Sequence, residues 1–156
     1  MAQAEIEDAT APALWLLGAS VDGIPLTQTH ALARAVVRDA AERWASCWDA
    51  ELFGPPHRET DLAVLHALHD GLRRLRLVRR RGRRLVATAR GRELAADPAA
   101  LLSVLAGDLG ANDPFTDAIA GAVVDALRAA EHCEHDDLAS AATARVRRAG
   151  WHGPDG

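Results

Sequence analysis

Ten arginines crowd the twenty residues from Arg73 to Arg92, and no carboxylate stands among them. The rest of the chain sets eight arginines against 22 acidic residues, so a net charge of −4 conceals a basic ribbon on an acidic body. A guanidinium is permanently charged and offers a planar fork of donors that fits phosphate or carboxylate. A ribbon of such groups attracts polyanions at long range and can pair with phosphates on contact. The candidate contact residues are Arg73, Arg74, Arg76, Arg79, Arg80, Arg81, Arg83 and Arg84, with His66 two helical turns upstream. Two other readings fit the same residues. The ribbon can be a solvated hairpin whose charges block edge-to-edge pairing, or one neutralised by the acidic body or by a partner chain. All 18 cations are arginine and 34 residues are alanine, as a GC-rich coding sequence gives, so arginine abundance alone carries no weight.

The remaining chemistry-bearing residues are scattered. His66 and His69 stand three apart on an expected helix, and His132-Cys133-x-His135 gathers three more metal-capable side chains in an expected loop. A structural zinc site usually takes four ligands in two close pairs, and no spacing here joins loop to helix. No metal and no cofactor is therefore expected, with His66 exposed and His69 half-buried. Cys47, between Trp44 and Trp48, reads as a small core residue. Asp136–Asp137 beside His135 is explained by helix capping. No P-loop, dinucleotide fingerprint, Gly-x-Ser-x-Gly or paired-cysteine motif occurs, so no catalytic residue and no enzyme activity is expected.

Elements that could position the ribbon follow from periodicity and punctuation. Residues 1–11 read as a flexible tail, and a first helix over Pro12–Ser20 turns Leu14, Leu17 and Trp15 inward. Ile24–Pro25–Leu26 is at most an edge strand, because Pro25 cannot donate to a ladder. Thr27 or Thr29 caps a helix from Ala31 to about Trp48, with Leu32, Val36, Ala40 and Trp44 on one face. Pro55–Pro56 ends that element. Thr60 caps a third helix whose buried stripe is Leu62, Leu65, Leu68 and Leu72. Leu77–Val78 and Leu85–Val86 then flank a tight turn at Arg81–Gly82, and Thr88 caps a short helix over Ala89–Ala96. Asp97–Pro98 and Asp113–Pro114 repeat one helix-start signal, opening helices Ala99–Ala106 and Phe115–Ala130. A last helix begins at Asp136 and a tail covers 151–156.

Two local patterns resemble known families. The hairpin followed by Thr88-Ala-Arg-Gly91-Arg-Glu-Leu94 is similar to the passage that leaves the wing in many bacterial winged-helix transcriptional regulators. Pro25-Leu-Thr-Gln-Thr29, Phe53-Gly, Glu59-Thr-Asp-Leu62, Leu65-His-Ala-Leu68, Arg80-Arg-Gly82 and Asp97-Pro98 resemble an uncharacterised winged-helix-like tail region of actinobacterial plasmid-ORF-type proteins, over about residues 14–105. That second resemblance implies a fold and no activity.

The expected architecture is mainly α: a winged helix-turn-helix-like domain over 12–97 with a small β-hairpin wing, then a helical lobe over 98–150. The leading functional expectation is a non-enzymatic nucleic-acid-binding protein, a transcriptional regulator that contacts duplex DNA phosphates through its arginine-rich wing. The stripe Phe115, Ile119, Val123 and Leu127 offers either a homodimer face or an internal seam. The alternative is a protein-interaction module of the same fold that docks on an acidic surface and leaves DNA alone. It gains from the third helix, whose exposed positions read as Glu59, Thr60, Asp61, Ala63, His66, Ala67 and Asp70, a poor set for meeting phosphates and bases. No apolar run approaches the roughly 18 residues of a membrane span and the N-terminus is acidic, so a cytoplasmic protein with reduced thiols is expected.

Overall fold

The buried stripe of the third helix recurs at positions 65, 69 and 72, and that face packs into the core. The computed structural model describes residues 3–45 and 50–109, with 140, 143, 144, 147, 148 and 150 beyond them. Two compact units divide the chain at Leu102/Ser103. The first holds helix α1 (Gln3–Ala19), strand β1 (Ile24–Pro25), helix α2 (Arg34–Arg43), a single turn α3 (Ala50–Phe53) and helix α4 (Ala63–Arg74). Strands β2 (Val78–Arg81) and β3 (Arg84–Ala87) follow, then helix α5 (Ala89–Ala95), and helix α6 (Pro98–Leu109) opens at its end. The domain is mainly helical with one small three-stranded antiparallel sheet, consistent with a winged-helix-like fold. None of the described helices is long and apolar enough to cross a membrane.

Several boundaries differ from those expected. The presumed tail is helical from Gln3, because Gln3 donates to Glu7 one turn on (2.8 Å) and acids in the opening turns suit the helix dipole. Pro12 lies inside α1 and costs it one ladder bond, while the buried Thr10 hydroxyl donates back to the Ile6 carbonyl at 2.7 Å. The inward face is Thr10, Ala13, Leu16 and Leu17; Leu14 and Trp15 are half-buried. Trp15 instead meets Trp44 edge-on, with ring centroids 5.2 Å apart, and donates to Asp39 at 3.2 Å.

Helix α2 begins at Arg34, not Ala31, and no side chain caps it. Thr27 closes the preceding turn instead, accepting from the Ala31 N–H at 3.1 Å. Leu32 lies before the helix, bridged to Leu26. Thr60 does not cap α4 either: it falls in a 3-10 turn over Glu59–Asp61, and Leu62 is the cap residue. The α4 stripe is Leu65, His69 and Leu72, with Leu62 buried just ahead and Leu68 half-buried. Leu101, in the first turn of α6, is fully buried and belongs to the first compact unit, which ends at Leu102. Asp97 caps that turn, accepting from the Ala100 N–H at 3.0 Å.

The sheet runs β1-β3-β2. Ile24 pairs with Leu85 and Pro25 with Arg84, so β1 is an edge strand as Pro25 requires. Across the hairpin, Val78 pairs with Ala87, Arg79 with Val86, Arg80 with Leu85 and Arg81 with Arg84. The turn is Gly82–Arg83, and Gly82 takes φ +62°, the left-handed backbone that a two-residue hairpin loop starting on glycine needs. Expectations for Cys47, Trp48 and Cys133, for the helices from Phe115 onward and their stripe Phe115, Ile119, Val123 and Leu127, for His132–Asp137 and for the tail 151–156 lie outside the described residues.

One contact fixes α5 on the hairpin. Thr88 accepts from the Gly91 N–H at 3.0 Å, and the Leu77 carbonyl accepts from the Thr88 N–H at 2.9 Å. A Cβ on Gly91 would sit 2.1 Å from the Leu77 oxygen, inside its van der Waals shell. The Thr-x-x-Gly spacing is thus a cap plus a close approach. Gly91→Ala should cost ~2–3 kcal/mol through backbone displacement, measured as a lower urea midpoint, even though alanine is the better helix former.

Candidate nucleic-acid interface

The ribbon starts where α4 ends. Leu75 caps the helix, the Arg76 N–H reaches the Arg73 carbonyl at 3.0 Å, and the Leu77 N–H reaches the Leu72 carbonyl at 2.9 Å. These are the paired bonds of a Schellman motif, whose left-handed position glycine normally fills. Here Arg76 fills it, at φ +58°. A side chain in that conformation costs ~1–2 kcal/mol. The Thr88 hydroxyl holds the strained peptide, donating to the Arg76 carbonyl at 2.9 Å.

Strand pairing sorts the wing arginines by face. Arg80 opposes Leu85, a core residue, so it overhangs the α4 side of the sheet; Arg79 and Arg81 oppose Val86 and Arg84 on the other face. Arg73, Arg74, Arg76, Arg79 and Arg80 line one open groove of about 680 Å³ together with Asp70. Arg79 and Arg81 line a second hollow with Arg92. All the arginines from 79 to 84 are exposed.

Arg84 is engaged within the fold. Its Nε and Nη2 both donate to the Gly23 carbonyl, at 3.1 and 2.6 Å, clasping the loop before β1. Gly23 has φ +82°, and a Cβ there would press on Arg84 and Val86 at 3.1 Å. Arg74 is engaged too, paired with Asp70 at 3.4 Å. Arg73, Arg76, Arg79, Arg80, Arg81 and Arg83 form no ion pair among the described residues.

The largest correction concerns the acids of the third helix. Glu59, expected at the exposed start of that helix, is 2% exposed. Its Oε2 accepts from the Leu32 N–H at 2.5 Å, and its Oε1 accepts from His69 Nδ1 at 2.7 Å and His66 Nδ1 at 3.3 Å. Burial alone would raise its pKa. The His69 bond, the Leu32 N–H, the electrostatic pull of His69 and the His66 bond together outweigh burial and hold the carboxyl below its ordinary value. Asp61 is half-buried by residue and its carboxylate is bound to the backbone, accepting from the His57 and Arg58 N–H groups at 2.9 Å each; those bonds lower its pKa as well. The exposed face of α4 is then Ala63, Val64, His66, Ala67, Asp70, Arg73 and Arg74, and its one acid is paired. His69 is buried, not half-buried. The signal for that was in the spacing: 69 completes the 62–65–69–72 stripe, and a polar residue there needs a buried partner. Nothing in the spacing pointed to Glu59 as that partner, ten positions away. Among the described residues no group of three or more His, Cys, Asp or Glu is placed to hold a metal.

Comparison with known families places this geometry. The Y4jL N-terminal domain matches residues 12–100, more than half of the chain. The chain belongs to that family. No curated protein and no solved structure gives a significant match. The matched span nearly coincides with residues 14–105, over which the motifs resembled a plasmid-ORF-type tail region; that finer label remains a resemblance.

Within this Y4jL N-terminal domain the match takes in α2 to α5, and with them Glu59, His69, the Schellman turn and the wing. Two substitutions test its construction. Arg76→Gly relieves the left-handed strain and should stabilise the domain by ~1 kcal/mol, read as a raised melting temperature. Glu59→Gln tests the buried carboxylate. Because its folded pKa is depressed, its contribution is fully present above the unfolded carboxyl's ordinary value of 4.5 and is lost as pH falls through the lower folded value. The Gln variant should be less stable at pH 7 and should lose less stability than the parent on acidification below 4.5. Parallel acid-unfolding curves for the two proteins would reject the pair as a linkage site.

Proposed function

We propose that the domain binds duplex nucleic acid, DNA in the first instance, by holding backbone phosphates along the α4–wing groove. The observation that carries this reading is the clustering of exposed arginines that have no carboxylate partner. The six from Arg73 to Arg83 named above form no ion pair among the described residues, and they lie together at the end of α4 and along the hairpin. Like charges left unneutralised repel one another, and a polyanion that releases counterions relieves that repulsion.

The same surface argues for contact with phosphates over reading of bases. Ala63, Val64 and Ala67 on the exposed face of α4 can touch thymine methyl groups and little else, and Asp70 is turned to Arg74. Recognition through shape and backbone fits this surface better than direct readout. Burial of Glu59 supports the reading further, because it removes an acid from the face that α4 would present to DNA. A role in transcriptional control, and pairing of two chains through the C-terminal residues, belong to the same proposal.

Docking of the ribbon on an acidic protein is the rival reading, favoured by the acidic body of the chain. The salt dependence of binding to random-sequence duplex separates the two. Arg80→Ala with Arg83→Ala should weaken duplex binding and reduce the slope of log K against log salt by about two units, one per lost phosphate contact. Both side chains are exposed, so the melting temperature should hold. An unchanged slope in the folded double variant removes the wing as the contact. Absence of binding to duplex at low salt favours the acidic protein partner.

A further inference from the structure

Arg73 and Asp70, which line the wing groove, also line a hollow on the other side of α4's start. The turn that follows β1, the turn that precedes α4 and the length of α4 from His66 to Arg73 border an open pocket of about 510 Å³, a size suited to small ligands. Its wall carries the hydroxyls of Thr27 and Thr29, the guanidiniums of Arg58 and Arg73 and the imidazoles of His66 and His69. Both acids in that wall are engaged. Glu59 accepts from Leu32, His66 and His69, and Asp70 pairs with Arg74. Neither Arg58 nor Arg73 forms an ion pair among the described residues. The pocket thus presents two arginines, Arg58 with the Asp61 carboxylate as its neighbouring counter-charge and Arg73 with no ion pair among the described residues, beside two threonine hydroxyls bonded to each other at 3.1 Å.

His69 adds an independent observation. It is 4% exposed, Glu59 takes its Nδ1, and its buried Nε2 has no partner. Native structures leave few buried polar atoms unpaired, and such an atom commonly marks a place where a ligand or water belongs. Glu59 fixes the ring orientation, so the atom left over is the one on the far side of the imidazole.

We propose that this pocket binds a small phosphate, inorganic phosphate or a phosphate monoester, with Arg58 and Arg73 on its charged oxygens, Thr27 and Thr29 beside it and His69 Nε2 as its innermost contact. The oxygens of such a phosphate accept from guanidinium, hydroxyl and imidazole donors. A pocket of this size apart from the wing hairpin suits a free small molecule, which makes it a place for an effector, and it does not rest on the wing reading.

The experiment is calorimetric titration of the full chain with sodium phosphate, against sodium chloride at matched ionic strength, together with duplex-binding curves. Saturable phosphate binding is expected, reduced about tenfold or more by Arg58→Gln through loss of a charge-assisted hydrogen bond, and unaffected by Arg80→Ala with Arg83→Ala. Arg58 is exposed, so the variant should fold, and its duplex binding should match the parent's. No saturable binding of phosphate would overturn the proposal, as would binding that Arg58→Gln leaves intact. If duplex displaces phosphate and Arg58→Gln weakens both equally, the pocket holds a backbone phosphate and the small-ligand assignment fails. Failure of the wing reading looks different: duplex binding is absent while the phosphate titration stands.

Discussion

The Leu77 carbonyl is the point on which the arrangement of helix and wing turns. It accepts from the Thr88 N–H and from the Thr88 hydroxyl, and the bare Cα of Gly91 rests against it. Leu77 is itself placed by its own N–H, which closes the Schellman turn at the end of α4. One peptide therefore ties three elements together: the helix before it, the strand that leaves it and the helix that follows the hairpin. With α4 and α5 both anchored there, β2 and β3 have a single direction in which to project. The positions of Arg79, Arg80, Arg81 and Arg83 follow from that anchorage and from the register of the two strands.

Electrostatics are organised around the same frame. A buried carboxylate is normally a liability, and Glu59 is tolerated because three donors meet it. Its Leu32 bond joins the start of the helical layer to α4, so an acid near a basic surface serves as a brace and its field is cancelled locally. Asp61 and Asp70 are spent in a similar way, one on backbone N–H groups and the other on Arg74. What remains uncompensated on this face is positive. A chain that is acidic overall thus presents a cationic surface because of which acids it turns inward, and composition alone hides this.

The parts legible in the sequence are those governed by local rules. Gly82 between two β-branched or apolar pairs announced the hairpin, Thr88 three residues before Gly91 announced a cap, and Asp97–Pro98 announced a helix start. Pro25 correctly demoted β1 to an edge. The misread parts depend on distant partners. Thr27 looked like a helix cap and closes a turn, because Leu32 is drawn away to Leu26 and Glu59 before α2 can begin. Glu59 looked like a solvent-facing acid because the groups that bury it lie 27 residues before it and 10 after it. Arg84 looked like one more wing-tip cation, and only the return of the Gly23 loop, 61 residues away, gives it a structural partner. Arg76 was legible as a cation and illegible as a strained residue, since glycine is what that turn ordinarily advertises.

The separation between Gly23 and Arg84 also dictates an order of events as the chain is made and folds. Helix α4, the hairpin and α5 lie within residues 63–95 and contact one another over short sequence distances, so they can organise as soon as that stretch is complete, with little loop-closure entropy to overcome. Strand β1 is synthesised about sixty residues before its strand partner among the described residues, β3, and must wait. During that interval it is two residues long and carries a proline, which makes it a poor template for pairing with another nascent chain. The last step is then the arrival of β1 and α1 on a hairpin that already exists, locked by the Arg84 guanidinium closing on the Gly23 carbonyl. A ribosome-bound fragment ending near residue 95 would hold all the parts needed for that closure, and one ending before residue 84 would hold the Gly23 carbonyl without the guanidinium that closes on it.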